Sequence, residues 1–193
     1  MIVGVLGLQG AVREHIRSLT RLGVETRTVR RSEELDGLAG LILPGGESTT
    51  ISLLARDGLL DRLRAMASKG FPMFGTCAGM ILLASEIAGG ESPHIAAIDI
   101  TVARNASGRQ VDSFEAPLSM DGIGDDVPAV FIRAPFITRV GPSVRVLAEY
   151  DGVPVMASSD NILVASFHPE LTDDLRIHRH FLGIVTRNQE GGD

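Results

Sequence analysis

The first half of the chain alternates short, continuous apolar runs with stretches whose apolar residues recur every three or four positions. The run Ile2–Leu8 has the pattern of a strand that is buried on both faces of a parallel sheet. Gln9–Leu22 shows helical spacing, and Gly23 can end that helix. The alternation then continues with predicted strands at Val24–Val29, Leu38–Leu43 and Phe71–Thr76. Three further helices are predicted: one that begins at an N-cap on Ser48, one over Leu59–Ala67 and one over Ala78–Ile87. This order predicts an α/β fold with a doubly wound, mostly parallel central sheet.

After Gly89 the pattern changes to short strands separated by turn residues, which predicts antiparallel additions to the sheet. These predicted strands cover Ile95–Arg104, Val111–Ala116, Val127–Ile132, Arg145–Tyr150 and Val153–Ser158. Ile162–Phe167 is one more buried strand, and Thr172 is a candidate N-cap for a last helix. No repeat or linker-like stretch divides the chain, so residues 1–193 are predicted to form one domain with three layers.

Composition excludes several functional classes. The chain has 193 residues, 44% of them hydrophobic, and a net charge of −6, with Lys69 as its one lysine. Because tryptophan is absent and tyrosine occurs once, we expect no nucleic-acid groove of basic and aromatic side chains. The apolar runs are shorter than the roughly 18 residues of a membrane helix, so we expect no membrane partner. The single cysteine excludes an internal disulfide and a cysteine-based zinc site, and we expect a cytoplasmic protein without metal or cofactor.

Cys77 stands where a predicted strand meets a predicted helix, in the sequence Gly-Thr-Cys-Ala-Gly at 75–79. A glycine two positions away on either side is the pattern of a nucleophile elbow, with sulfur in place of the serine oxygen. Gly75 and Gly79 would avoid clashes between closely packed backbones. The helix N-terminus would favour a thiolate, and the N–H of Ala78 could stabilise an oxyanion. The alternative is a buried structural cysteine, which is the commonest state of a lone cysteine.

A nucleophilic cysteine needs a base, and His168 has the best placement among the five histidines. It directly follows the predicted buried strand Ile162–Phe167, and Pro169 disfavours a helical conformation at His168. In an extended chain Glu170 would lie on the same side, roughly 6.5–7 Å away, and could orient the imidazole. The other histidines are predicted to lie at the surface or boundary of amphipathic helices (His15, His178 and His180) or in a loop without a recognisable neighbour (His94).

Two further features could bind a substrate. Pro-Gly-Gly-Glu-Ser at 44–48 lies between a predicted strand and helix, and Gly45 and Gly46 allow backbone N–H groups to face a ligand. A phosphate-binding loop is disfavoured because the Gly-x-x-x-x-Gly-Lys pattern is absent, whereas a plain tight turn stays open. Arg104 and Arg133 each adjoin the end of a predicted strand, where an arginine can bind a carboxylate through two hydrogen bonds. An ordinary surface charge is an equally open interpretation of both arginines.

Taken together, these segments resemble class I glutamine amidotransferases. The resemblance rests on Gly-Val-Leu-Gly-Leu-Gln-Gly at 4–10, Leu-Pro-Gly-Gly-Glu-Ser-Thr-Thr at 43–50 and Phe-Gly-Thr-Cys-Ala-Gly at 74–79. Four more segments are similar to the glutaminase subunits of pyridoxal 5'-phosphate synthases: Arg-Asn at 104–105, Gly-Arg-Gln-Val-Asp-Ser-Phe-Glu at 108–115, Phe-Ile-Arg-Ala-Pro at 131–135 and Ser-Phe-His-Pro-Glu-Leu-Thr at 166–172. The resemblance implies a flavodoxin-like fold and an enzyme that hydrolyses L-glutamine to glutamate and ammonia.

The resemblance also implies residue roles and a partner. Cys77 would attack the glutamine amide, His168 would act as base and acid, and Glu170 would orient His168. Backbone amides near Gly45 and Ala78 would form the oxyanion hole. The implied glutamine-binding residues are Gly45, Gly46, Glu47, Arg104, Ile132 and Arg133. The implied partner is a (β/α)₈-barrel synthase subunit, which consumes the ammonia and makes pyridoxal 5'-phosphate from ribose 5-phosphate and glyceraldehyde 3-phosphate. Such glutaminases are poorly active alone, with the region around Gln9 and Gly10 near the contact.

Three alternatives remain open at this point. A cysteine hydrolase or peptidase of similar fold would keep the elbow and change the substrate. A class I amidotransferase with another ammonia acceptor would share the same three residues. A non-catalytic sensor would instead respond to oxidants through Cys77, although it would need no proton shuttle such as His168 with Glu170. The face formed by Arg13, Arg17 and Arg21 on the first helix is either solvated or a docking surface.

Overall fold

The computed structural model describes residues 1–8, 10–46, 58–104 and 113–191, and all elements given below lie within these ranges. The strands are β1 (Ile2–Leu6), β2 (Glu25–Val29), β3 (Gly40–Leu43), β4 (Met73–Thr76), β5 (Ala84–Ile87), β6 (Ile98–Ala103), β7 (Phe114–Met120), β8 (Gly124–Phe131), β9 (Phe136–Val140), β10 (Arg145–Tyr150), β11 (Val153–Ser159) and β12 (Ile162–Ala165). The α-helices are α1 (Val12–Arg21), α2 (Leu59–Ala67), α3 (Ala78–Leu83) and α4 (Arg176–Glu190), and 3₁₀ turns occur at Ser32–Leu35 and Pro169–Leu171.

The main sheet has seven strands in the order β10-β11-β12-β4-β3-β1-β2. Its five strands from β12 to β2 are parallel, and β11 and β10 extend it in antiparallel fashion. The register pairs Thr76 with Ala165 and Gly75 with Leu43. The carboxyl ends of β3, β4 and β12 therefore lie side by side, which is the edge where open α/β sheets place their sites.

Each face of the main sheet packs on its own apolar cluster, because successive side chains of a strand point to opposite faces. In β4, Met73 belongs to one cluster together with Leu63 of α2. The neighbouring Phe74 belongs to the other cluster, together with Leu19 of α1 and Phe181 of α4. The predicted three-layer α/β fold with a mostly parallel sheet and antiparallel additions is confirmed.

Two smaller sheets complete the described part of the fold. The sheet β5-β6-β9 joins β5 and β6 in parallel and β6 and β9 in antiparallel fashion. The hairpin of β7 and β8 forms the other sheet. Phe114 of β7 stacks on Phe131 of β8, with ring centroids 4.6 Å apart. These two sheets provide the segments that contain Arg104 and Arg133.

Several sequence predictions needed correction. The helix predicted over Ala78–Ile87 ends at Leu83, and Ala84–Ile87 is a strand because it pairs with β6. A short apolar run cannot be assigned to helix or strand by periodicity alone, so this pairing partner decided the outcome. The strand Phe136–Val140 was missed. The predicted cap at Ser48 and residues 111–112 of a predicted strand lie outside the described residues.

Thr172 is not the N-cap of the last helix. It ends the 3₁₀ turn at Pro169–Leu171, and α4 begins four residues later at Arg176. The Thr172 hydroxyl accepts a hydrogen bond from the backbone N–H of Asp174 (3.2 Å), and the Asp174 carboxylate accepts one from the backbone N–H of Arg176 (2.9 Å). Asp174, and not Thr172, therefore satisfies a backbone donor at the start of α4.

Within the described ranges, no helix is both long enough and apolar enough to cross a membrane. The same ranges contain no group of three or more histidine, cysteine, aspartate or glutamate side chains arranged to hold a metal ion.

Candidate active site

Cys77 occupies a strained turn between β4 and α3. Its backbone has φ 51° and ψ −111°, in a region that residues with side chains rarely adopt. Its N–H donates to the carbonyl of Ala165 at the end of β12 (2.8 Å). A Cβ on Gly79 would overlap the carbonyl of Leu43, and a Cβ on Gly75 would run into the backbone of Gly79. The two glycines thus allow the close backbone packing that a nucleophile elbow requires.

His168 reaches Cys77 from the neighbouring strand. Its backbone N–H donates to the carbonyl of Val130 in β8 (2.8 Å), which fixes the segment that follows β12. The Nδ1–H of His168 donates to Oε1 of Glu170 (2.8 Å). The ring and the Cys77 side chain both border the backbone of Gly45, and Cys77 is close enough to raise the pKa of His168. Since Nδ1 faces Glu170, Nε2 is the ring nitrogen that faces the sulfur. The structure therefore brings together all three residues that the sequence singled out.

The path between His168 and Glu170 differs from the prediction. We expected an extended chain, whereas Pro169–Leu171 forms a 3₁₀ turn in which Pro169 is the first residue. His168 itself is not helical, with φ −111° and ψ 84°, as the following proline requires. The turn directs the Glu170 side chain inward, so that the carboxylate is buried and not at the surface of a strand.

The charges of these groups support one another. Burial lowers the pKa of His168, but the hydrogen bonds and charges of Cys77 and Glu170 outweigh it and raise the pKa to about 10. Burial raises the pKa of Glu170, but the imidazoles beside it, including the hydrogen-bonded His168, outweigh burial, so that this pKa lies below its usual value. The arrangement therefore favours a protonated imidazole beside an ionised carboxylate.

The backbone of Gly45 lies directly against Cys77 and His168. A Cβ on Gly45 would be 2.8 Å from Cε1 of His168 and 3.0 Å from Cβ of Cys77. Its carbonyl packs on Gly10, where a Cβ would overlap the carbonyl oxygen. Gly46 follows at the surface, Ala78 is the first residue of α3, and Glu47 lies outside the described residues.

The remaining residues predicted to bind glutamine lie in the segments that follow β6 and β8. Ile132 and Arg133 follow the end of β8, within three residues of the Val130 carbonyl that accepts the His168 N–H. Arg133 is exposed and has φ 45°, a second strained position close to the site. Arg104 follows β6, and its guanidinium donates to both carboxylate oxygens of Glu91, at 3.0 and 2.7 Å. The structure thus places Ile132 and Arg133 directly after the contact between Val130 and His168, and shows Arg104 paired with an acidic side chain.

The prediction that His15 and His178 lie at a surface or boundary is wrong. Both side chains are fully buried behind Glu170, one from α1 and one from α4. His15 lies four residues before Leu19, and His178 lies three residues before Phe181, so helical spacing places each histidine on the core-facing side of its helix. The burial of both histidines could therefore have been predicted from this spacing in the sequence.

Comparisons with known proteins find relatives over nearly the whole chain. The model of the SNO glutamine amidotransferase family matches residues 5–187. The chain is 58% identical to the pyridoxal 5'-phosphate synthase subunit PdxT of Carboxydothermus hydrogenoformans, over 97% of this chain and 99% of that protein. It is 57% identical to the subunit of the same name from Exiguobacterium sibiricum, over 97% of each. A solved structure described as a glutamine amidotransferase superimposes with a TM-score of 0.90 at 48% identity, covering 96% of this chain and 100% of that one.

Proposed function

The chain belongs to the SNO glutamine amidotransferase family, and from that premise we propose that Cys77, His168 and Glu170 carry out its chemistry. The protein is a glutaminase: it hydrolyses L-glutamine to L-glutamate and ammonia as a subunit of pyridoxal 5'-phosphate synthase in vitamin B6 biosynthesis. The observation that supports our assignment of residues is the position of His168, whose ring lies next to Cys77 at the backbone of Gly45 and is hydrogen-bonded to Glu170.

The proposed reaction begins with the sulfur. The Cys77 thiolate attacks the side-chain amide carbon of glutamine, and the carbonyl oxygen becomes an oxyanion. His168 then gives its proton to the amide nitrogen, the C–N bond breaks, ammonia leaves and a thioester remains. In the second half His168 takes a proton from water, the hydroxide attacks the thioester, and glutamate is released from Cys77. Glu170 keeps the proton of Nδ1 in place and stabilises the imidazolium.

An oxyanion needs donors, and we assign this role to backbone amides near Gly45 and to the N–H of Ala78. Ala78 opens α3, where the first N–H groups have no acceptor within the helix. The carbonyl of Gly45 packs on Gly10. A rotation of the peptide that joins Gly45 and Gly46 would turn this carbonyl away from Gly10 and bring the N–H of Gly46 into its place as the second donor. Loss of one such donor typically lowers the rate by roughly 10²–10³.

We propose that glutamine is bound by residues of the segments that follow β3, β6 and β8. Arg133, which is exposed, would bind the substrate carboxylate, and Ile132, Gly45 and Gly46 would contact the rest of glutamine. Gly45 itself lies against Cys77 and His168. Glu47 and Arg104 complete the proposed set, and Arg104 must first exchange its contact with Glu91.

We propose that the ammonia acceptor is a (β/α)₈-barrel synthase subunit, which makes pyridoxal 5'-phosphate from ribose 5-phosphate and glyceraldehyde 3-phosphate. The relatives with 54–58% identity are all named as subunits of that synthase, which supports this acceptor over another.

The decisive experiment is a glutaminase assay with and without the synthase subunit. We expect glutamate release from the wild-type protein, stronger in the presence of the subunit, and none above background from Cys77→Ala. Other amides serve as competing substrates, since a general cysteine hydrolase would accept them. Retained activity in a folded Cys77→Ala variant would refute the proposal, and so would oxidation of Cys77 as the one measurable response of the wild type.

A further inference from the structure

Two buried histidines lie behind the proposed active site without a role in the reaction described above. His15 of α1 and His178 of α4 are in contact through Nδ1 and Nε2, which are 3.0 Å apart. The other nitrogen of His15, Nε2, is 3.2 Å from Oγ1 of Thr76 and 3.4 Å from Oε2 of Glu170. The chain of contacts therefore runs from His178 through His15 to the carboxylate that orients His168.

The carboxylate oxygen Oε2 needs a donor. Oε1 of Glu170 accepts from His168, but Oε2 is buried and has no hydrogen bond of full geometry within the described residues. An ionised oxygen buried in this way must face a donor, because the loss of its water is otherwise uncompensated. Nε2 of His15 can supply this donor, because it lies 3.4 Å from Oε2 of Glu170 and a small movement of the ring would shorten that distance.

The surroundings keep the two histidines uncharged. Burial lowers the pKa of His15 more than Glu170 raises it. Burial and the neighbouring His15 lower the pKa of His178 to about 3. The ring of Phe74 packs edge-on against both imidazoles, with centroids 6.3 and 6.2 Å away. Each neutral ring therefore has one N–H and one acceptor nitrogen.

One assignment of the two protons fits the surrounding groups better than the other. If His15 has its proton on Nε2, it donates toward Glu170, and its Nδ1 accepts from Nε2–H of His178. The reverse assignment would turn a lone pair of His15 toward the carboxylate. It would also place the proton of His178 on Nδ1, a buried atom with no partner among the described residues. An unpaired acceptor is tolerated better than an unpaired donor, so the first assignment is favoured.

We propose that His15 is a positioning residue for Glu170, which it holds through an Nε2–H···Oε2 hydrogen bond, and that His178 fixes the tautomer of His15. This inference rests on the proposed function, since it adds a second support to the carboxylate that orients His168. His15 touches no reacting atom. Its effect is to keep Glu170 from rotating away from His168 while the imidazole gains and loses its proton.

Nitrogen-15 NMR of the protein labelled at histidine tests the tautomers without any assay of activity. We expect His15 and His178 to be neutral at pH 7, each with its proton on Nε2, and the His15→Gln and His178→Phe variants assign the signals. A proton on Nδ1 of His15, or a charged His15, would overturn the proposal. This NMR result does not depend on glutaminase activity and can be obtained even if the wild-type protein hydrolyses no glutamine. Failure of this inference and failure of the proposed function are therefore distinguishable.

Kinetics with the synthase subunit present test the consequence. We expect His15→Leu to lower kcat roughly 10–100-fold, the size typical of residues that orient metal-binding histidines, with KM for glutamine unchanged. His15→Gln keeps an N–H near Oε2 and should recover most of kcat. The matched control is His180→Leu, at a half-buried histidine of α4 outside this cluster, which should leave kcat unchanged. An equal loss of kcat in His15→Gln and His15→Leu, at equal melting temperatures, would overturn the proposal.

Discussion

The two halves of the site differ in how the fold anchors them. The triad half (Cys77, His168 and Glu170) follows β4 and β12, which are adjacent parallel strands of the main sheet. The recognition half (Ile132, Arg133 and Arg104) follows β8 and β6, which belong to two different small sheets. Glu170 is 4% exposed, whereas Arg133 is at the surface.

This difference matches what each half must do. Proton transfer requires distances that are fixed within about 0.5 Å, and paired strands of a buried sheet provide that precision. Binding of a flexible amino acid tolerates longer side chains that change partners, such as Arg104 on Glu91. Substitutions in the triad half should therefore act on kcat, and substitutions in the recognition half should act on KM. The following predictions test that division, beginning with the largest expected effect.

Glu170→Gln should cause the largest change. The side-chain amide can present an N–H to Nδ1 of His168, which would force the proton onto the nitrogen that faces Cys77. We expect kcat to fall by about 10²–10⁴, as in other triads with a mis-set tautomer, while KM stays unchanged. Steady-state kinetics in the presence of the synthase subunit measure the effect. Glu149→Gln, at an exposed position of β10, is the matched control. A Glu170→Gln enzyme with wild-type kcat would show that Glu170 does not orient His168.

The three residues of the triad half could be predicted from the sequence because each of them lies in a short, recognisable pattern. The glycines on either side of Cys77 and the His-Pro-Glu segment after a buried strand are each readable within a few residues. The register of β4 with β12, which brings the two segments together, follows from the parallel order of the sheet.

Other features depend on partners that are distant in sequence. Ala84–Ile87 is a strand because β6 pairs with it, and His15 is buried because α4 brings His178 to the same place. The pairing of Arg104 with Glu91 likewise joins residues 13 positions apart that no local pattern connects. Such contacts are decided by tertiary packing, which overrides the pattern of a single segment.

Alkaline stability is the second test of the triad half. The pKa of His168 is lowered by burial but raised overall to about 10 by Cys77 and Glu170, above its ordinary value of 6.5. Below pH 6.5 the folded and unfolded chains both hold this proton, so the stabilisation is fully present. As the pH rises toward 10, the unfolded chain has lost the proton and the folded chain progressively loses it too, so the free energy of unfolding should decrease over this window.

Cys77→Ala should shift that window downward, because it removes one of the two groups that raise the pKa of His168. Urea unfolding between pH 6 and pH 10 measures the effect in both proteins, and a Cys77→Ala curve that runs parallel to the wild-type curve would contradict it. The matched control is His180→Gln: burial lowers the pKa of His180, so its substitution should leave the alkaline decrease in place.

The smallest expected effect tests the recognition half at the pair of Arg104 and Glu91. Both side chains are partly exposed, and the hydrogen bond from Arg104 lowers the pKa of Glu91, so the pair is charged at neutral pH. If Arg104 binds the carboxylate of glutamine, Glu91 competes with the substrate for the same two donors. Exposed ion pairs contribute about 0.2–1 kcal/mol, so Glu91→Gln should lower KM by no more than about fivefold, with kcat unchanged.

The variants at this pair also show the direction of the coupling. Arg104→Ala should raise KM, and the double variant should behave like Arg104→Ala alone, since Glu91 then has nothing to compete for. Asp121→Asn, which breaks the exposed pair of Asp121 with Arg145, is the matched control and should leave KM unchanged. A rise of KM in Glu91→Gln would mean that Glu91 holds Arg104 in its binding position. The recognition half would then be as preorganised as the triad half, and the proposed division between the two halves would be wrong.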